Sequence, residues 1–294
     1  MGDMIDVREW DEAVRYVAEA RDKGRMVSNF FPDEKRMRRW CQSGAFSYME
    51  RGETTFFMRH QETFSCLYFL STSVDALTKD LSGFLENQSG HLVVDVLGRD
   101  AVREPLEAAF KMVGFTALTT LQRMSRRTPT EKYEHESGIA VANMDDAAAV
   151  HSLLVTNFIA EEEQLPSLED VQDWIATRSI LVAREEMDQD IKGFVIFDLS
   201  PAALYLRYWF VSCGSRGNGV GSKLMRSMFF AGMNTKRQYF WVKTDNENAI
   251  KRYRHYGFEF EPLKDTVLSA TRFLCRVNEV TCEVMPRSRP AEGL

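Results

Sequence analysis

A glycine-rich turn between an apolar strand and an amphipathic helix constrains this chain more than any other feature. Residues 204–211 read LYLRYWFV and run into SCGSRGNGVGSKLM, with glycines at 214, 217, 219 and 221. In the helix that follows, Leu224, Met225, Met228 and Phe229 form one apolar face. Glycines after a strand let the backbone turn tightly and bring its N–H groups toward a ligand. A helix N-terminus adds unpaired donors and roughly half a positive charge. The turn is therefore built to take an anion such as a diphosphate, and Arg216 can add a charge-assisted contact at its edge.

Two familiar phosphate-binding patterns fit poorly. Gly214 and Gly219 have the glycine spacing of a Walker loop, but Val220 and Gly221 stand where Lys and Ser/Thr are required. From Gly217 the string GNGVGS lacks the last glycine of a dinucleotide fingerprint. Asp245 follows the next strand, where a dinucleotide fold keeps its ribose-binding acid. Such a fold, however, opens with its glycine motif, and here the motif follows a run of strands that read as antiparallel.

The rest of the chain falls into two similar halves. With 294 residues, two domains of roughly 150 residues each are expected. The segment SRRTPTEKYEHESG, residues 125–138, is polar, charged and contains Pro129, so it reads as a connection. The expected division is 1–127, a linker at 128–138, a second unit at 139–286 and a tail at 287–294.

Before the connection, helices are expected at 9–20, 32–42, 75–86 and 102–113, with strands at 45–50, 54–60, 64–70, 91–97 and 116–124. Pro32 suits a first helical turn, and Gly114 suits a left-handed C-cap. After the connection, helices are expected at 145–158, 168–177, 219–233 and 247–256, with Asp145 capping the first. Strands are expected at 139–142, 180–184, 191–198, 204–211 and 238–243, and at least one more between 258 and 285. The two orders agree, and Gly114-Phe115 and Gly257-Phe258 sit at equivalent places. The fold class is α/β with mixed sheet.

Charge and cysteine usage exclude several partners. The formal net charge of -6 gives no long-range attraction to nucleic acid or to anionic lipid. No apolar run approaches the roughly 18 residues that span a bilayer, and residues 1–19 lack the apolar core of a signal peptide. Cys41, Cys66, Cys213, Cys275 and Cys282 are odd in number and widely spaced. They read as scattered reduced thiols of a cytoplasmic protein, neither a disulfide framework nor a metal site.

Two motifs then resemble one family. Val211, Arg216, Gly217, Gly219 and Gly221 fall in register with V-x-P-x-x-R/Q-G-x-G-x-G, the coenzyme A-binding signature of the GCN5-related N-acetyltransferase (GNAT) superfamily, with Cys213 in the proline position. Asn246, Ala249, Tyr253, Gly257 and Phe258 match its later motif N-x-x-A-x-x-x-Y-x-x-x-G-F. The resemblance covers about residues 139–285. The first half matches by element order and by its Gly-Phe corner, and lacks a glycine cradle in FLSTSVDALTKD. Tandem acyl-CoA N-acyltransferase-like domains are therefore implied, each a mostly antiparallel sheet flanked by helices, with the first a degenerate copy.

The resemblance implies transfer of an acetyl or short acyl group from acetyl-CoA, or another acyl-CoA, to a primary amine by direct attack. The strand 204–211 would part from 238–243 to admit the thioester, and a main-chain donor near Val211 would polarise its carbonyl. Amides of Arg216, Gly217, Asn218, Gly219, Val220 and Gly221 would hold the diphosphate, with Asn246 a further cofactor contact or a plain helix cap. Tyr253 is the candidate acid for the departing thiolate, although Ala249, Ile250, Tyr253 and Tyr256 form one stripe that packing alone would explain.

No carboxylate lies in residues 204–211, so the sequence names no general base. Glu161, Glu162 and Glu163 lie where relatives build an acceptor pocket and would attract a cationic amine, or form a solvated face. Asp198 and Asp245 are weaker candidates. Cys213 has no nearby histidine and reads as a small loop residue, not a nucleophile. A small-molecule or peptide amine is the expected acceptor, with no metal, and a homodimer is compatible with the sequence. A silent acyl-CoA sensor or a tandem interaction protein is the alternative.

Overall fold

Short polar turns between apolar runs make both halves rich in strands. The computed structural model describes residues 4–31, 33–130, 133–185 and 188–272. The first half contains β1 (Ile5–Asp6), α1 (Trp10–Asp22), β2 (Val27–Ser28), α2 (Glu34–Gln42), β3 (Phe46–Arg51), β4 (Thr54–His60), β5 (Ser65–Ser71), α3 (Val74–Leu85), β6 (Gly90–Gly98), α4 (Asp100–Met112) and β7 (Thr116–Arg127). The second contains β8 (Ile139–Val141), α5 (Ala147–Asn157), α6 (Ala160–Glu163), α7 (Leu168–Ala176), β9 (Ile180–Glu185), β10 (Asp188–Leu199), β11 (Ala203–Val211), α8 (Val220–Ala231), β12 (Arg237–Lys243), α9 (Glu247–His255) and β13 (Glu259–Arg272).

Helix starts differ from the expected caps in two places. Pro32 lies outside the described residues, and Asp33 caps α2 by accepting from Arg36 N at 2.9 Å. At α5, Asn143 caps a leading 3-10 turn by accepting from Asp145 N at 2.8 Å, so the cap stands two residues before the expected Asp145. The expected connection is partly strand, since β7 runs through Arg127. Beyond it, Tyr133 packs on Phe229 with ring centroids 5.1 Å apart. The later part of the expected closing strand, the tail, Cys275 and Cys282 lie outside the described residues.

The class is α/β, as expected, but the halves do not keep separate sheets. Among the described residues, one 13-stranded mixed sheet runs β1-β3-β4-β5-β6-β13-β7-β12-β11-β10-β9-β8, with β2 paired to β5. This order is a palindrome under exchange of the halves. At its centre the closing strands have crossed over. β13 of the second half lies between β6 and β7, with Asp265 opposite Leu97 on one side and Leu121 on the other. β7 of the first half pairs antiparallel with β12, Leu121 opposite Lys243. Each half therefore completes the other's sheet, and ladder hydrogen bonds hold the two together.

Helices cover both faces. In the second half, α8 and α9 bury Leu224, Met228, Phe229, Ile250 and Tyr253 against Leu206, Phe240 and Val242. On the other face, Val150, Leu154 and Val171 of α5 and α7 pack on Phe194, Ile196, Tyr208 and Phe210.

Candidate functional site

The site begins at a defect in β11. Against β10 the register runs Ile196 to Tyr208 and then Phe197 to Leu206, so Arg207 is an extra residue, a β-bulge. Leu204 and Leu206 face the α8–α9 core, whereas Tyr208 and Phe210 face the α5–α7 core. The bulge thus turns the strand over. Its pairing with β12 stops at the same point: the two run parallel from Ala203–Arg237 to Leu206–Phe240 and no further. Beyond that fork, 207–211 and 241–243 carry no pairing with each other.

The glycine turn lies at the open end of the fork. Gly217 and Gly219 have φ of 86° and 78°, left-handed values that a side chain would strain. At Gly221 a Cβ would come within 2.9 Å of the Trp209 ring, so only glycine lets α8 start this close to β11. Gly219 is the N-cap of α8 and supplies no capping side chain. Amides of Gly217, Asn218, Gly219, Val220, Gly221 and Ser222 find no acceptor among the described residues. Arg216 Nε donates to the Val211 carbonyl at 3.2 Å, which ties the loop to the end of the strand.

A cleft of about 480 Å³ opens over this turn, lined by Val211, Arg216, Gly217, Gly219, Gly221 and Ser222 on one side and by Lys251, Arg252 and His255 of α9 on the other. Unpaired amides, a helix N-terminus and three cationic side chains make it suited to a phosphate-bearing ligand. Asn218 and Val220 belong to the turn but not to the cleft wall, and Val220 packs on the core.

Tyr253 projects from α9 beneath the fork. Its ring lies 4.0 Å from that of Phe240, at the last paired position, and 5.8 Å from that of Trp209 beyond it. Burial pushes its hydroxyl well above the ordinary phenol range, so it stays protonated at neutral pH. Tyr253 thus packs in the core, and its ring also borders the gap. Asn246 caps α9, accepting from Ala249 N at 3.1 Å, and is exposed outside the cleft wall.

On the opposite face of the fork, α6 brings the three glutamates down onto the sheet. Glu162 and Glu163 pair with Lys243, the latter at 3.7 Å, and Glu161 approaches His91 at 3.7 Å. The Glu163 carbonyl accepts from the Tyr208 hydroxyl at 3.1 Å. Glu162 and Glu163 line a chamber with Leu206 and Trp241, residues of the fork itself. Asp198 pairs with Arg207 at 2.7 Å, Asp245 is exposed beside α9, and Cys213 is exposed at the turn.

The first half has the same fork, filled. β5 and β6 pair in parallel only at Ser65–Leu92 and Cys66–Val93. Into the gap beyond comes β2, with Ser28 opposite Leu70 and Val27 opposite Ser71. Asn29 then bridges the parted strands: its amide nitrogen donates to the Leu67 and Asp95 carbonyls at 3.1 and 3.0 Å, and its oxygen accepts from Phe69 N at 2.8 Å. The helix start is also closed, because Ser73 caps α3 by accepting from Ala76 N at 3.0 Å. Nothing in the spacing of residues 27–29 signals this insertion.

Residues 147–258 match the family described as the acetyltransferase (GNAT) family. No curated protein matches the sequence. Among solved structures, a tandem GNAT protein from the clavulanic acid biosynthesis pathway superposes with a TM-score of 0.61 at 10% identity, covering 92% of this chain and 98% of that one. A GNAT-family acetyltransferase from Colwellia psychrerythraea gives 0.53 at 12% identity, covering 92% and 100%. A GCN5-related N-acetyltransferase from Sphaerobacter thermophilus gives 0.52 at 11%, covering 81% and 85%. At such identities the likeness concerns the fold, which is a tandem acyltransferase-like one.

Proposed function

We propose, from the premise that residues 147–258 are a domain of the acetyltransferase (GNAT) family, that this chain moves an acetyl or short acyl group from acyl-CoA to a primary amine. One observation carries the reading: six consecutive main-chain amides without acceptors among the described residues stand at the mouth of a parted strand pair. In this reading residues 139–286 bind the acyl-CoA and 1–127 are a degenerate copy.

The residues present fit such a ligand. Amides of residues 217–222 would hold the diphosphate, with Arg216, Lys251 and Arg252 balancing its charge. The inner edges of β11 and β12 beyond Leu206 and Phe240 offer backbone groups that an amide-bearing pantetheine arm can pair with as an added strand. That arm would carry the thioester to the fork, where a main-chain donor of β11 near Val211 would polarise the carbonyl. The reaction joins the amine nitrogen to the acyl carbon and releases a thiol. One proton leaves the nitrogen and one reaches the sulfur. Tyr253, held protonated by burial beside the fork, is suited to give the second.

The test is thiol release on mixing the protein with acetyl-CoA and an amine panel: an aliphatic polyamine, an amino sugar, free lysine and a short peptide. Turnover is expected with at least one. Tyr253→Phe should lower kcat by roughly 10²-fold while leaving acetyl-CoA affinity near that of the parent. Binding without turnover across the panel would favour a sensor, and no binding would reject the reading.

A further inference from the structure

The fork joins the cleft to the chamber under α6, and the chamber is built by both halves. Its floor is the centre of the sheet, where the closing strands have crossed. Along β12, Phe240 and Val242 face the α8–α9 core, so Trp241 and Lys243 face the other way, into the chamber side. Asp95 of β6 and Asp265 of β13 lie on that floor. Asp265 is opposite Leu97, and Asp95 is opposite Val267, which makes the two carboxyls diagonal neighbours across adjacent strands. They also line a second cavity of about 190 Å³ that shares Arg36 and Gln164 with the chamber, itself about 210 Å³.

The charges around this floor are unevenly matched. Lys243 is taken by Glu162 and Glu163 of α6. Arg36 of α2 lies 3.8 Å from Asp170, and Arg207 of β11 is bound to Asp198 at 2.7 Å. Tyr205 and Tyr208 of β11 are the remaining ionisable groups at the wall, and both are held neutral by burial. Asp95 has a hydrogen bond from the Gln164 side chain. Asp265 Oδ1, by contrast, is buried with no hydrogen-bond partner among the described residues. A buried carboxylate oxygen left open in a chamber that reaches Leu206 and Trp241 is an unmet demand for a donor, two strands from the fork.

We propose that this chamber is the acceptor-amine site, and that Asp265, paired with Asp95, takes the proton of the attacking nitrogen by relay through water along the chamber, across the two strands β7 and β12 that separate it from the fork. The proposal rests on the acyl-transfer reading above and deepens it, naming a cationic primary amine as the acceptor and giving the first half a share in the site. A cationic acceptor sheds two protons: one goes to solvent as the ammonium becomes a free amine, the second passes from the attacking nitrogen to Asp265, and the thiolate is protonated from the other face, by Tyr253. Two acids this close in a buried chamber cannot both ionise cheaply. Burial and the neighbouring Asp265 hold Asp95 well above the usual carboxylate range, and burial pushes Asp265 up to about 7. Asp265, whose Oδ1 is open to the chamber, is assigned the base, and Asp95, bound by Gln164, is its partner. Glu163, also raised by burial, is the nearest competitor but faces Lys243.

The experiment compares Asp265→Asn, Asp95→Asn and Glu163→Gln, using acetyl-CoA and whichever panel amine the parent turns over fastest. Asp265→Asn should lower kcat/KM for the amine by on the order of 10²-fold, with acetyl-CoA affinity within about twofold of the parent. In the parent, kcat/KM should fall as pH drops through about 7, because the base is then protonated. That limb should vanish in Asp265→Asn and persist in Asp95→Asn, whose amide resembles the protonated partner. An unshifted limb in Asp265→Asn, at any level of activity, overturns the proposal, as does its loss in Glu163→Gln alone. A parent that binds no acetyl-CoA fails earlier and rejects the acyl-transfer reading itself.

Discussion

The two forks of this molecule share a geometry and have opposite contents. In the second half, β11 and β12 part after Leu206 and Phe240, and the gap faces a turn whose amides have no acceptor among the described residues. In the first, β5 and β6 part after Cys66 and Val93, and residues 27–29 of the same chain lie in the gap. The parted strands expose backbone groups that need partners. One half leaves that need open for a ligand, and the other meets it with its own asparagine. The filled fork thus meets with intramolecular hydrogen bonds what the open one leaves unpaired, and its helix starts at the capping Ser73 where the other starts at a glycine.

The comparison can be broken most forcefully at the open turn. Gly219→Glu puts a carboxylate against the diphosphate position, and like charges in contact cost several kcal/mol, so acetyl-CoA affinity should fall by more than about 10²-fold. Circular dichroism should show an intact fold; unchanged affinity by calorimetry would remove the turn from the site. Next in size is Asn29→Ala. It leaves three backbone groups of the filled fork unsatisfied and should cost about 2–3 kcal/mol in denaturant unfolding. Calorimetry should give one acetyl-CoA per chain both before and after the change, and a second equivalent in either protein would show that the first fork is accessible. The smallest effect is at Asn246. As a cap for α9 its replacement by Ala should cost about 1 kcal/mol of stability. Its acetyl-CoA affinity should stay at the parent value, whereas a fall of about tenfold would return it to the cofactor contacts.

What could be read in advance was local. The glycine turn, the helix behind it and the Gly-Phe corners depend on residues a few positions apart, and they stand where spacing put them. The same holds for the strand and helix order of both halves, apart from β1, β2 and α6, which were not expected. The bulge at Arg207 was hidden because LYLRYWFV alternates without a break, and an extra residue is visible only against the partner strand. α6 spans four residues, too few for a helical period to register. The acidic chamber joins Asp95 to Asp265, which the sequence separates widely and only the crossed strands bring together. Partner choice between strands is a property of the whole sheet, and periodicity within one strand does not encode it.

That crossing has a consequence for how the chain comes to be folded. Neither half can finish its sheet from its own residues, because β6 waits for β13 and β12 is flanked by β7. During synthesis the first half would stand for a long interval with the edge of β6 bare, an invitation to mispairing with a neighbouring nascent chain. Cutting the chain between the halves and expressing each fragment separately would leave both with unmatched edges. Mixing the fragments would restore a complementary pair, so the molecule behaves toward its own biogenesis as an obligate two-part assembly written on a single thread.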